Sequence, residues 1–196
     1  MKAPLLLTLL LLAVNVAAFQ DDLVQAAHLQ TQQNVRYDPS YFSIDYPNGD
    51  VPADIGVCTD VVIRAYRALG EDLQLRVHED MAANFDDYPS RRIWGLQRPD
   101  TNIDHRRVPN LRRYFERQGA SLPVSNNPDN YQAGDLVTWM LPGNLPHIGI
   151  VVDELDPATG APLIVHNMGR GPELENILFA YPIDGHYRYA PQTHAD

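Results

Sequence analysis

Cys58, His147 and His166 are the side chains best suited to chemistry in this sequence. Cys58 is the single cysteine of 196 residues. A thiol attacks a carbonyl as its thiolate, and it needs a base to take the proton and a third group to orient that base. His147 follows the turn PGNLP and opens the run IGIVVD, a strand-end position that holds a ring rigidly at a cleft. His166 lies in the next apolar run, PLIVHNM. Two antiparallel strands joined by a turn would bring the two rings together, so His166 can orient His147. Asn167 and Asp153 are alternative orienters. A lone cysteine cannot pair within its own chain, which leaves an intermolecular crosslink, a buried inert thiol or a reactive site.

The elements that must position these groups are legible. VCTDVVIRAYRALG repeats Val61, Val62, Ala65, Tyr66 and Leu69 at helical spacing and stops at Gly70. Thr59 or Asp60 would cap that helix or sit in its first turn. Cys58 therefore falls at a helix N-terminus, where unpaired N–H groups and a partial positive charge favour a thiolate. A second helix is expected over 71–87. A third is expected in VPNLRRYFERQG, with Pro109 in its first turn, a face of Leu111, Tyr114 and Phe115, and a stop at Gly119. The segment between those two helices reads as a polar loop. After Pro128 come GDLVTWML (134–141), IGIVVDEL (148–155) and PLIVHNM (162–168), short β-branched runs separated by turns, with GHYRYA as a further strand. Helices followed by antiparallel strands make an α+β fold.

The N-terminus reads MKAPLLLTLLLLAVNVAAFQ. Lys2, the apolar run Leu5–Val14 and Val16-Ala17-Ala18 predict a signal peptide cleaved after Ala18. The apolar run is shorter than the roughly 20 residues of a spanning helix. The expectation is an exported protein, periplasmic or secreted, without a membrane span after cleavage. Residues 19–36 then form an N-terminal helix or linker, with Leu23, Ala26, Ala27 and Gln30 on one side. Residues 37–190 form one domain, and 191–196 a loose tail. With 15 basic and 25 acidic residues, net charge −10, the surface repels phosphates, and nucleic acid is not an expected partner.

The pattern resembles the NlpC-type cysteine peptidases, papain-like enzymes that cleave bacterial cell-wall peptides. The matching residues are Tyr46-Pro-Asn-Gly49, Val57-Cys58-Thr59-Asp60-Val61, Gly134-Asp135-Leu136-Val137, His147-Ile-Gly-Ile-Val151 and Ile164-Val165-His166-Asn167. The resemblance implies N-terminal helices packed on an antiparallel sheet. It implies Cys58 as nucleophile, His147 as base, His166 as third polar residue and Tyr46 as a tyrosine leaning toward the nucleophile. It also implies that the Cys58 backbone N–H contributes to an oxyanion hole. The substrates it implies are peptidoglycan or its stem peptides. Val57 stands where that family carries Asp, and Thr59-Asp60 where it carries Ser-Gly. With its long insertion before Gly134, the layout is most similar to the exported domain of unknown function 1287 family, whose hallmark run is PDTNIDHRRVPNL.

Within that run, Asn102, Asp104, His105, Arg106 and Arg107 suggest either a clamp for substrate carboxylates or a buried ion-pair network. Asp60 and Asn167 join the substrate-facing set. A metal site from His105, Asp104 and His78 has no recognisable ligand spacing, so neither metal nor other cofactor is expected. His28, His186 and His194 are surface or packing residues. The leading expectation is a cysteine endopeptidase or amidase. The alternatives are a non-catalytic cell-wall-peptide binding module, in which Cys58 is buried and inert, and a cysteine acyltransferase, which needs an acceptor other than water.

Overall fold

The computed structural model describes residues 3–191, with side chains from Val16 onward. The side chains of the apolar leader run, the tail beyond Pro191 and His194 lie outside the described residues. Helix α1 (Ala3–Gln30) passes through position 18 without a break. Its second half is a docking helix and not a linker. Leu23, Val24 and Ala27 are buried, and Gln30 Nε2 donates to the carbonyl of Val61 at 2.8 Å. Among the described residues no helix is long and apolar enough to cross a membrane.

Strands β1 (Arg36–Tyr37) and β2 (Ile55–Gly56) pair in parallel and lead into α2 (Cys58–Ala68). The apolar stripe of α2 is buried as its spacing predicts, and the helix ends before Gly70, held at φ 84. Helix α3 (Leu73–Ala83) is capped by Asp72, whose carboxylate accepts the N–H groups of Gln74 and Leu75. The helix expected over 71–87 is therefore shorter, and residues 85–87 form a 3-10 turn. Helix α4 (Ser90–Trp94) occupies what the sequence suggested was loop. Five residues are too few to show a period, and its apolar Ile93 and Trp94 are exposed. Helix α5 (Val108–Arg117) buries Leu111, Tyr114 and Phe115.

Strands β3 (Leu136–Leu141), β4 (Leu145–Leu155), β5 (Pro162–His166), β6 (Glu173–Glu175) and β7 (Ile183–Tyr187) form one antiparallel sheet in the order β6-β5-β4-β3-β7. The helices cover one face, where Val61 and Val62 meet Ile148, Ile150 and Val165. A second cluster of Tyr131, Val137, Trp139, Val151, Ile164 and Leu178 covers the other. Burial on both faces explains why β4 reads as a continuous apolar run. Each such side chain contributes about 1.5–3 kcal/mol on burial. This is the α+β layout of helices on an antiparallel sheet that the NlpC resemblance implied. β4 begins two residues before His147, so His147 lies inside the strand, paired with Trp139.

Candidate active site

Cys58 is the first residue of α2, and Val57 before it is the extended N-cap. The thiol is 5% exposed. Burial pushes the thiol up to about 12 and outweighs the opposing pull of the nearby backbone N–H groups of Ile148, Thr59 and Cys58 itself. The Asp60 charge adds to the rise. The helix terminus favours the thiolate as the sequence suggests, but desolvation outweighs it. The resting thiol is therefore protonated.

Ile148 brings β4 onto the sulfur, and its neighbour His147 carries the ring. His147 is 3% exposed. Its Nε2 lies 3.1 Å from His166 Nδ1, with the two rings at 87°. Burial first, then His166, lowers His147 to about 3, so this ring is neutral and able to accept a proton. His166 is lowered too, mainly by burial and against the pull of Glu175. Of the three candidate orienters, only His166 meets His147. The Asn167 amide donates to the Gly56 carbonyl at 3.3 Å and accepts the N–H groups of Gly169 and Gly171, so it latches a loop. Asp153 lies near His28, with a 69% exposed side chain.

Gly149 allows the two histidine strands to approach. A Cβ there would meet Ile164 Cγ2 at 2.6 Å and His166 Cβ at 3.1 Å. Gly149→Ala is expected to cost about 1–3 kcal/mol of stability through overpacking. Urea titration checks it.

A cleft of about 430 Å³ opens on Cys58, with Tyr37, Tyr41, Trp94 and Arg107 in its walls. Tyr46 is absent from this lining. It packs edge-on against His78, with ring centroids 5.0 Å apart. The turn that carries it is clamped to the start of α3: Asn48 N–H donates to Asp72, Gly49 N–H to Gln74, and Gln74 Nε2 to the Asp45 carbonyl. Tyr37 takes the place expected for Tyr46, because the β1–β2 pairing sets it opposite Gly56. Sequence reasoning missed Tyr37, Tyr41, Trp94 and also Glu175. Only the alternation in Glu173-Leu174-Glu175 hinted at the short strand β6.

The polar run divides between the two readings. Asp104, His105 and Arg106 are buried. Arg106 forks onto Asp60, Nε to Oδ1 at 2.8 Å and Nη2 to Oδ2 at 2.9 Å. Asp60 also accepts the Val57 N–H at 2.7 Å. Asp60, Asp104, His105 and Arg106 thus form internal scaffolding in place of the expected substrate contacts. Thr59 Oγ1 donates to the Arg106 carbonyl at 3.0 Å and joins the same network. Arg107 lies over the Trp94 ring, 4.0 Å from its centroid, with a single 3.4 Å contact to Asp104. Asn102 Nδ2 donates to the Tyr41 hydroxyl at 2.8 Å on the cleft wall.

Burial also makes the fold sensitive to acid. His105 is lowered to about 4 and His147 to about 3, each mainly by burial, and His166 is lowered as well. Below an ordinary histidine value near 6.5 the unfolded chain binds protons on these rings that the folded chain refuses. Stability is then full above 6.5 and falls as pH drops. Asp104, pushed up to about 6 by burial, acts in the opposite sense between about 6 and 4 and offsets one ring. Stability at pH 4.5 is expected to be roughly 2–4 kcal/mol below that at pH 7. Urea unfolding at the two pH values checks it, and equal midpoints would contradict it.

Among the described residues, the one cluster with ligand atoms close enough for a metal is His28, Asp153 and Glu154. It lies on the outer surface of α1 and β4, with Glu154 already 2.8 Å from the His28 ring.

Over residues 24–189 the sequence matches the family described as Domain of unknown function (DUF1287). The chain is similar to the uncharacterized protein YijF of Escherichia coli (strain K12), 46% identical over 205 positions and covering 96% of this chain and 98% of that one. Among solved structures it is similar to NlpC1 from Trichomonas vaginalis, at 14% identity and a TM-score of 0.44. That match covers 86% of this chain and 44% of the other, so the chain spans less than half of that protein's length. It is also similar to an N-acetylmuramoyl-L-alanine amidase from Bacteroides uniformis ATCC 8492, at 16% identity and a TM-score of 0.49, covering 87% of this chain and 98% of that one. The family match runs from the packed half of α1 to the buried Tyr189, and with the near-full-length relative at 46% identity it makes this chain a member of the DUF1287 family.

Proposed function

We propose that this chain is an exported cysteine hydrolase that cleaves amide bonds in peptidoglycan peptides. The observation that carries the reading is a thiol at a helix N-terminus near the Ile148 backbone, whose chain neighbour is a neutral histidine held by a second histidine. The leader pattern in residues 1–18 supports export.

Because Cys58 rests as a thiol and His147 as a neutral ring, proton transfer accompanies attack. The Cys58 proton passes to His147 as sulfur bonds to the substrate carbonyl carbon. Backbone N–H groups at the start of α2 receive the oxyanion. His147 returns the proton to the amine as the C–N bond breaks, and water then releases the acyl group from sulfur.

Arg107 gives this cleft a preference for substrates with a free carboxylate. It is half-buried, stacked on Trp94, and its contact to Asp104 leaves most of its fork open. Stem peptides carry such carboxylates. Arg107→Met is expected to raise KM about 10- to 100-fold for carboxylate-bearing peptides, with a smaller effect on their amidated forms. Steady-state kinetics on the two substrate forms checks it.

The alternative, a non-catalytic binding module on the same fold, draws on the burial of Cys58 and its elevated thiol. Acid-quenched mass spectrometry during turnover of a stem peptide separates the two. The hydrolase reading predicts an acyl adduct on Cys58. Absence of both adduct and cleavage, together with native Cys58 refusing iodoacetamide, would favour the binding module.

A further inference from the structure

Resting on the hydrolase reading, we propose that Glu175 is a positioning residue that fixes the tautomers of both histidines and so leaves the His147 Nδ1 lone pair as the acceptor for the Cys58 proton.

Glu175 Oε2 lies 3.0 Å from His166 Nε2. That contact is close but not well aligned as a hydrogen bond, since His166 Nε2 is otherwise without a partner. The other carboxylate oxygen, Oε1, receives Arg170 Nη2 at 2.8 Å, and Arg170 Nε donates to Glu173 at 3.0 Å. The groups facing His166 are therefore His147, Glu173, Glu175 and Arg170. An ionised carboxylate only accepts, so the proton of neutral His166 belongs on Nε2 and its lone pair on Nδ1. His166 Nδ1 faces His147 Nε2 at 3.1 Å, so His147 must donate there. A neutral His147 with its proton on Nε2 has one acceptor left, Nδ1. In the attack the S–H bond breaks and an N–H bond forms at that atom. The resulting imidazolium is held by Nε2–H against His166.

Without the carboxylate the order can reverse. A glutamine at 175 can turn its NH2 toward His166 Nε2, which places the His166 proton on Nδ1. His147 Nε2 must then accept, and its own proton moves to Nδ1, the atom assigned here as the acceptor of the Cys58 proton. That ring cannot take the thiol proton.

The test is two-bond 1H–15N NMR of the full chain at pH 7, with kinetics on the same samples. In the wild type both rings are expected as Nε2–H tautomers. Glu175→Gln and Glu175→Leu are expected to move His166 toward Nδ1–H and to lower kcat about 10- to 100-fold with KM unchanged. Glu175→Asp should retain the wild-type tautomers and most of the rate. The side chain is 33% exposed on an edge strand, so these variants are expected to fold. A wild-type His166 protonated on Nδ1 would overturn the proposal, as would an unchanged spectrum and kcat in Glu175→Leu. An inactive wild type with both rings Nε2–H would remove the hydrolase reading and leave the tautomer assignment standing.

Discussion

Replacing Asp60 with alanine is expected to cost about 3–5 kcal/mol, a large part of the stability of a domain this size. The carboxylate is 3% exposed and holds both the Arg106 guanidinium and the Val57 N–H. Its removal leaves a buried cation without a counter-charge and the first turn of α2 without its back-bond. The thermal midpoint should fall by on the order of 10 °C. Because Val57 precedes Cys58, the variant should also lose turnover even where it stays folded. Asp60→Ala paired with Arg106→Met should recover much of the stability, since the stranded charge is gone. Thermal and urea unfolding by circular dichroism measure this. A loss under about 1 kcal/mol would mean that the pair is not the anchor described here.

The second large effect concerns chemistry. Cys58→Ala is expected to keep the fold and to reduce hydrolysis at least about 1,000-fold, because Cys58 is the one thiol lining the cleft. His147→Ala should match it. The double variant should be no worse than either single one, since the two groups act as a unit. Initial rates of wild type and variants at matched concentration measure it. Additive losses would imply that His147 serves some step other than proton transfer with Cys58.

Much of this arrangement can be read from the sequence because it rests on long periodic elements. The stripe of α2, the apolar runs of β3 to β5 and the spacing of His147 from His166 suffice to set the thiol at its helix start and to bring the two rings together. Other features depend on short or purely tertiary pairings. Tyr37, Tyr41 and Tyr46 lie in one irregular stretch, and a two-residue parallel bridge decides which of them faces Cys58. Glu175 enters through a three-residue strand whose middle residue, Leu174, is exposed. The NIDHRR run is dense in charge whether it grips a ligand or an internal partner, and only packing shows that Arg106 is filled by Asp60 while Arg107 is not. The thiol illustrates the same limit. A helix N-terminus is visible in the sequence, but the desolvation that outweighs it depends on β4 closing over the sulfur.

Digestion of purified sacculi, with soluble products read by mass spectrometry, tests the central claim most directly. The wild-type protein should release peptide-bearing fragments whose new termini identify the amide cut, and Cys58→Ala should release none above background. Equal release by both proteins would contradict Cys58 as the nucleophile, and no release by either would contradict the assignment of peptidoglycan as substrate.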